Sequence, residues 1–189
     1  MIARKHLLFL VMSCFSAAAF AETEQFPKES VYQVTSAWKN QDKKEVRLSD
    51  FAKKPVVISM IYTGCEHACP LTITRLQEIE SKAKSKNADY HIVLASFDPK
   101  NDTPDALKKY MGKRKLNPER WTLLTADDDE TVRELAIILG VNYKKMGDKD
   151  FSHSNIFTLL DKQGVVKEKI EGLNADLSPI IKKLSTNAK

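Results

Sequence analysis

Cysteine is scarce in this chain, three residues among 189, which excludes a small domain stapled by many disulfides. Glycine and proline are few as well, six and seven, and that excludes a collagen-like or low-complexity chain. Charge of one sign is also lacking. The 30 basic side chains face 25 acidic ones for a formal net charge of +5, and two of the basic ones, Arg4 and Lys5, stand near the N-terminus. The lysines are scattered and no nucleic-acid-binding motif interleaves them, so nucleic acid is not expected as a partner. Beyond the N-terminus no apolar run approaches the ~20 residues of a membrane-spanning helix. With 42% hydrophobic and 29% charged residues, an ordinary globular chain remains, long enough for one domain with its own core.

Met1 to Ala21 reads as a secretory signal peptide. Arg4 and Lys5 form its charged start, Leu7 to Phe15 its apolar stretch, and Ala19-Phe20-Ala21 a small-x-small cleavage site. The apolar stretch is too short to span a membrane comfortably. The mature protein is expected to be exported and soluble, in the periplasm if the source is bacterial. Cys14 invites a lipobox reading, but Val11-Met12-Ser13 is a poor lead-in. Cleavage leaves Cys65 and Cys69 in an oxidising compartment. Residues 22–30 are polar and expected to be loose, and residues 31–189 form the expected domain.

Val31 to Trp38 alternates weakly and Glu45 to Leu48 follows a polar turn, which suggests a short hairpin. Val56 to Tyr62, Tyr90 to Phe97 and Trp121 to Thr125 read as strands, the first two of the kind buried on both faces. Between them Ile73, Leu76, Ile79 and Ala83 recur at helical spacing, and Thr103-Pro104-Asp105 opens a capped helix. Thr131 to Leu139 is a helix stopped by Gly140. Asn155 to Leu160 and Val165 to Ile170 form a hairpin about Lys162-Gln163-Gly164, and Pro179 to Leu184 belongs to a last helix. Strands alternating with helices and ending in a hairpin plus helix suggest an α/β fold with a mixed sheet. The cysteines fall where the first long buried strand enters its helix. That is where thioredoxin-like folds keep reactive cysteines, so a single thioredoxin-like domain is expected.

Cys65 and Cys69 are spaced Cys-x-x-x-Cys, one residue longer than the pair of thiol-disulfide oxidoreductases. On the first turn of a helix, positions i and i+4 share a face. The unpaired N–H groups there favour thiolate. Such a pair can close a redox-active disulfide or grip a soft metal ion. An inert staple fits poorly, because so short a loop removes little chain entropy. Gly64 is read as the residue that lets the chain turn after the strand, and Pro70 as harmless in the first helical turn.

Two thiolates make an incomplete metal site, so a third donor is expected. His91 lies in a buried strand and reads as a satisfied core or sheet-edge histidine. His153, in Asp150-Phe151-Ser152-His153-Ser154-Asn155 just before a strand, falls in the loop that faces the cysteine helix in thioredoxin-like folds. Thioredoxins carry a cis-proline there, whereas this chain has no proline between Pro118 and Pro179. Thiolate and imidazole donors suit Cu(I), Cu(II) or zinc, with copper above zinc in the affinity order. Blue-copper electron transfer is excluded by the want of His and Met after the cysteines at ligand-loop spacing. A peroxiredoxin is excluded because Thr63 stands two residues before Cys65 rather than three, and the expected upstream proline is missing.

Four ordered stretches resemble the Sco/SenC family of copper-binding proteins: Tyr62 to Pro70, Ser96 to Pro104, Trp121 to Thr125, and Asp150 to Ser154 with Leu159-Leu160-Asp161. The resemblance spans about residues 31 to 185. It implies a thioredoxin-like fold, one copper ion held by Cys65, Cys69 and His153, and delivery to the dinuclear copper centre of cytochrome c oxidase. Many relatives have proline after the first cysteine, where this chain has Glu66 and His67. His67 either adds a ligand or faces solvent, and the divergent directions of adjacent helical side chains favour solvent. Asp98 and Asp102 flank a helix start, where capping and dipole stabilisation are the ordinary roles. The resemblance implies instead an acidic loop near the metal, acting as a second shell or in docking. Asp127-Asp128-Asp129 reads as a helix start and solvated charge run.

The leading reading is therefore a periplasmic copper chaperone, a binding protein rather than an enzyme. Its expected partners are the copper-site subunit of cytochrome c oxidase and a thiol reductase that reduces the cysteine pair. Membrane contact is expected only through a partner or an uncleaved signal anchor. The rival is a thiol-disulfide reductase that keeps a metalloenzyme partner's cysteines reduced, and a copper or redox sensor is a third class. His153 discriminates the first two, since a carrier needs it and a reductase does not.

Overall fold

The computed structural model describes residues 25–65, 68–84, 88–147 and 150–186. The expected signal peptide with Cys14, the first residues of the 22–30 segment, and His67 lie outside the described residues. Residues 25–30, read as loose, make specific contacts. The Phe26 ring packs edge-on against Tyr32 at 5.3 Å, and Ser30 forms an isolated bridge with Val165.

A 3-10 turn at Val31–Gln33 leads into a hairpin of β1 (Trp38–Asn40) and β2 (Glu45–Val46). The hairpin is where the polar turn suggested it, but Val31–Gln33 is not extended. After a second 3-10 turn at Leu48–Phe51, the chain alternates. In order come β3 (Val56–Ile61), α1 (Ala68–Lys84), β4 (His91–Ser96), α2 (Pro104–Arg114), β5 (Trp121–Thr125) and α3 (Asp129–Leu139). A two-stranded ribbon follows, β6 (Tyr143–Lys145) with β7 (Phe151–His153). The chain closes with β8 (Ile156–Leu160), β9 (Val166–Glu171) and α4 (Ser178–Thr186).

Seven strands form one mixed sheet in the order β2-β1-β5-β4-β3-β8-β9, flanked by helices, the thioredoxin-like α/β arrangement expected. β3, β4 and β5 run parallel, while β1, β8 and β9 pair antiparallel to their neighbours. Every residue of β3 and of β5 is buried, which is why these strands read as nearly continuous apolar runs. Ile73, Leu76, Ile79 and Ala83 of α1 all lie in the core. Thr103 caps α2 by accepting from the Ala106 N–H, and Asp128 caps α3 by accepting from the Thr131 N–H at 2.7 Å. Gly164 turns the β8–β9 hairpin at φ +78°, and a Cβ there would stand 2.6 Å from the Tyr32 ring. Only glycine fits.

The ribbon is the element the sequence pattern misses. Phe151 to His153 reads as loop, yet it pairs with β6 in the register Tyr143↔His153 and Lys145↔Phe151. Three-residue strands are too short to display an alternation. The Tyr143 and Phe151 rings pack on Phe97 at 5.4 and 5.2 Å, a tertiary contact that no local rule anticipates.

His91 opens β4 and is satisfied, as the strand context suggested. Its Nε2 lies 2.8 Å from the Thr122 hydroxyl, and its ring stacks on Phe51 at 5.4 Å. Burial, and then the positive charges of Lys54 and Arg120, push its pKa down to about 4. In the unfolded chain an imidazole titrates near ~6.5. Between these values the unfolded chain holds a proton that the native state does not, so stability falls as pH falls through the window. Urea unfolding should therefore show a loss of stability from pH 6.5 toward 4. His91→Gln, which keeps a partner for Thr122 and cannot titrate, should lessen that loss.

Candidate metal centre

β3 delivers the chain to the Tyr62–Cys65 turn, α1 carries Cys69, and β7 ends on His153. The donor atoms of Cys65, Cys69 and His153 all lie within 4.8 Å of one another. Cys69 Sγ stands 3.8 Å from His153 Nε2. Cys65 itself lies in neither a helix nor a strand, while Cys69 stands on α1. The sulfurs meet because Cys65 Sγ folds back in the manner of a cap and accepts from the Cys69 N–H at 3.3 Å. Gly64 is not in a left-handed conformation, and the nearest atom to a Cβ there would be the Tyr62 ring at 3.5 Å. The turn does not require glycine.

The imidazole is oriented from behind. His153 Nδ1 lies 3.1 Å from the Ser154 carbonyl oxygen. A carbonyl only accepts, so Nδ1 carries the proton and Nε2 turns its lone pair toward Cys69. The Phe97 ring at 4.9 Å and the edge-on Tyr62 ring at 6.1 Å wall the imidazole. Across the site, the Thr72 hydroxyl of α1 lies 3.2 Å from Asn155 Oδ1, linking the cysteine helix to the segment after His153.

The thiols differ. Cys69 is 0% exposed and Cys65 9%. The helix start was expected to favour thiolate at both positions. At Cys69 the hydrogen bond with Cys65 and burial prevail, and they push that thiol well above the ordinary range. A cation that replaces the proton relieves the same penalty.

Neither Asp98 nor Asp102 caps α2, since Thr103 does so. Asp102, 1% exposed, turns inward. Its Oδ2 accepts from the Thr63 N–H at 2.9 Å and from the Ser96 hydroxyl, and its Oδ1 accepts from the Thr63 hydroxyl. Burial raises its pKa, against the pull of these donors. Asp98 is also buried, and its Oδ2 accepts from Asn101 Nδ2 at 2.7 Å. Asp127 pairs with Lys39 at 2.7 Å on the surface. The sequence assigns Thr63 and Ser96 no role at the site, because a hydroxyl carries no pattern of its own until the fold gives it a partner.

The donor set suits a soft or borderline ion. Bonds of ~2.3 Å to sulfur and ~2.0 Å to imidazole nitrogen keep the donors around one ion roughly 4 Å apart, compatible with the spacing here. Among the described residues no helix is long and apolar enough to cross a membrane.

A family model described as SCO1/SenC matches residues 25–189. The chain is 29% identical over 138 residues to the SCO1 protein homolog of Bacillus subtilis (strain 168), with 72% of each chain covered. Among solved structures, BsSco is described as having a disulfide switch and as a member of the Sco family of cytochrome c oxidase assembly proteins. It is 28% identical and matches with a TM-score of 0.71 over 80% of this chain and 90% of its own. ScoI of Arabidopsis thaliana, solved with copper bound, matches with a TM-score of 0.71 over 80% of this chain and 94% of its own. At 21% identity that likeness establishes the fold.

The unequal thiols have a direct consequence. A rise of one pKa unit removes ~10-fold of the thiolate at neutral pH, and thiolate is the species that alkylates. With Cys69 fully buried and its thiol held protonated, iodoacetamide at pH 8 should label Cys65 faster than Cys69 in the folded, reduced protein. Peptide mapping by mass spectrometry measures both rates, and denaturation should abolish the difference.

Proposed function

The chain belongs to the SCO1/SenC family, and from that premise we propose that it is a periplasmic copper chaperone. Cys65, Cys69 and His153 hold one copper ion as cargo, to be passed to the dinuclear copper centre of a cytochrome c oxidase. The observation that carries the reading is the convergence of two sulfurs and one imidazole nitrogen within 4.8 Å. The orientation of His153 by the Ser154 carbonyl adds to it, because metal-ligating histidines are held through their other nitrogen in this way. Copper is favoured over zinc by the affinity order and by the copper that ScoI holds on the same fold.

Loading needs both thiols reduced. Each cysteine gives up a proton as it takes the ion, and a Cys65–Cys69 disulfide removes both donors. An exported protein would then need a thiol reductase to reopen the pair before each loading. The disulfide switch described for BsSco supports such a cycle. Export rests on the Met1–Ala21 signal peptide, and delivery on the oxidase-assembly family to which BsSco is assigned. Asp102, bonded to Thr63 near Cys65, and Asp98, bonded to Asn101, form an acidic loop that supports the ligands or docks a partner. The adjacency of the two sulfurs also suits the rival role, a thiol-disulfide reductase acting on a partner's cysteines before metallation.

Copper titration of the mature protein should show one site in the reduced form and, in the oxidised form, only weak histidine binding. Equal affinity in both forms would overturn the assignment. His153→Ala separates carrier from reductase, because imidazole supplies a metal bond but no thiol-exchange chemistry. Even an outer-shell partner is typically worth ~10–100-fold in metal affinity, so this ligand variant should lose at least that much while disulfide exchange survives. In cells, His153→Ala should abolish oxidase copper loading as fully as Cys65→Ser. Full oxidase activity in His153→Ala with loss in Cys65→Ser would establish the reductase instead.

A further inference from the structure

Two of the three donors stand on regular elements. Cys69 is in the first turns of α1, and His153 ends β7 with its Nδ1 bonded to the Ser154 carbonyl. Cys65 stands on neither a helix nor a strand. Its N–H donates to the Tyr62 carbonyl at 3.4 Å and its sulfur accepts from the Cys69 N–H, and its position depends also on what fixes the turn before it, where only Gly64 separates it from Thr63.

Among the described residues, the side chain that holds Thr63 by hydrogen bonds is Asp102. The buried Asp102 carboxylate takes the Thr63 backbone N–H at 2.9 Å on one oxygen and the Thr63 hydroxyl on the other. The Ser96 hydroxyl, at the end of β4, shares the first oxygen, and Ser96 Oγ in turn accepts from the Asp98 N–H at 3.0 Å. The Asp102 N–H is bonded to the Asp98 carbonyl at 2.9 Å, which anchors the carboxylate's own backbone. Acceptors on both oxygens are a property of a carboxylate. An amide offers one oxygen, and with that oxygen on the Thr63 N–H its NH2 group faces the Thr63 hydroxyl, which must then turn from donor to acceptor. Bonds to a neutral amide are weaker than bonds to a carboxylate, so such a change loosens the hold on the turn.

We infer that Asp102 is a positioning residue of the metal centre, a two-oxygen clamp on Thr63 that sets where Cys65 Sγ stands relative to Cys69 and His153. The inference rests on the proposed copper reading of that site and deepens it. Asp102 acts through Thr63 and touches no metal. It differs from a general stabiliser of the fold because its effect passes to one donor of three.

Four variants of the full mature chain test this: Asp102→Asn, Thr63→Val, Thr63→Ser, and Leu184→Ala, a core truncation on α4 far along the chain from the site. The readouts are copper affinity of the reduced protein, the thiolate-to-copper(II) absorption band, and the midpoint potential of the metal-free Cys65–Cys69 pair. Outer-shell losses typically cost ~10–100-fold in metal affinity, and that loss with a displaced band is expected for Asp102→Asn and for Thr63→Val. Thr63→Ser, which keeps the hydroxyl, should restore both. Leu184→Ala should lower the melting temperature and keep the wild-type band. Wild-type affinity and band in folded Asp102→Asn and Thr63→Val would overturn the clamp, as would a matching band shift in Leu184→Ala. If Asp102→Asn does not fold, Thr63→Val decides alone. If the wild-type chain itself takes no copper, the functional proposal fails, and the midpoint potential then judges the clamp. A shift in Thr63→Val that Thr63→Ser reverses supports it, and an unchanged potential overturns it.

Discussion

The register of β3 between two neighbours of opposite sense is the constraint on which the candidate metal centre depends. β3 and β4 are parallel, with Ile61 opposite Ser96, so their C-terminal ends open on the same edge of the sheet. Thr63 and Asp102, each just beyond one of those ends, therefore meet. β8 is antiparallel to β3, with Ile58 opposite Thr158, so its entry lies at that same edge. The Ser59 hydroxyl seals this register by donating to the Ile156 carbonyl at 2.7 Å. The chain entering β8 carries His153 and arrives beside the cysteines. A slip of one residue would turn every β3 side chain to the other face. Placing ligands beyond the carboxyl ends of parallel strands is a general habit of α/β sheets.

Burial makes the site responsive. Cys69 is fully buried, beside a second sulfur and the His153 ring. Two thiolates in such a place repel each other and lack water to screen them. The metal-free reduced form relieves this by keeping the Cys69 proton. A bound cation or a disulfide relieves it in other ways. In the proposed function the same dry environment would link proton, metal and redox state at one pair of sulfurs. Cys65, slightly open and next to the exposed Gly64, offers the more accessible side of the pair.

The aromatic side of the site has a mechanical part. Phe97 touches Tyr62, Tyr143, Phe151 and His153. It stands one residue past β4 and fills the space between the sheet edge and the ribbon. Through it the ribbon is held against the main sheet without pairing to it. The histidine is therefore placed by ring packing together with its ribbon pairing and the Ser154 carbonyl, while Cys65 is placed by hydrogen bonds and Cys69 by its helix.

Much of this was legible in the sequence. Apolar runs long enough to be buried on both faces marked β3 and β4, and capping residues marked α2 and α3, because those signals are local and recur at a fixed period. The Cys-x-x-x-Cys pair and the lone histidine before β8 named the donors by their chemistry. What the sequence could not carry was placement. The β6–β7 ribbon is too short to show a period, and it exists because Tyr143 and Phe151 find Phe97. The position of Cys65 ahead of the helix, the high proton affinity of Cys69 and the inward turn of Asp102 all depend on groups distant along the chain. Thr63 and Asp102 are 39 residues apart, and Cys69 and His153 are 84 apart. Residue type and spacing determine which groups can react, whereas burial and hydrogen-bond partners, which set how they react, come into being only when the sheet brings those segments together.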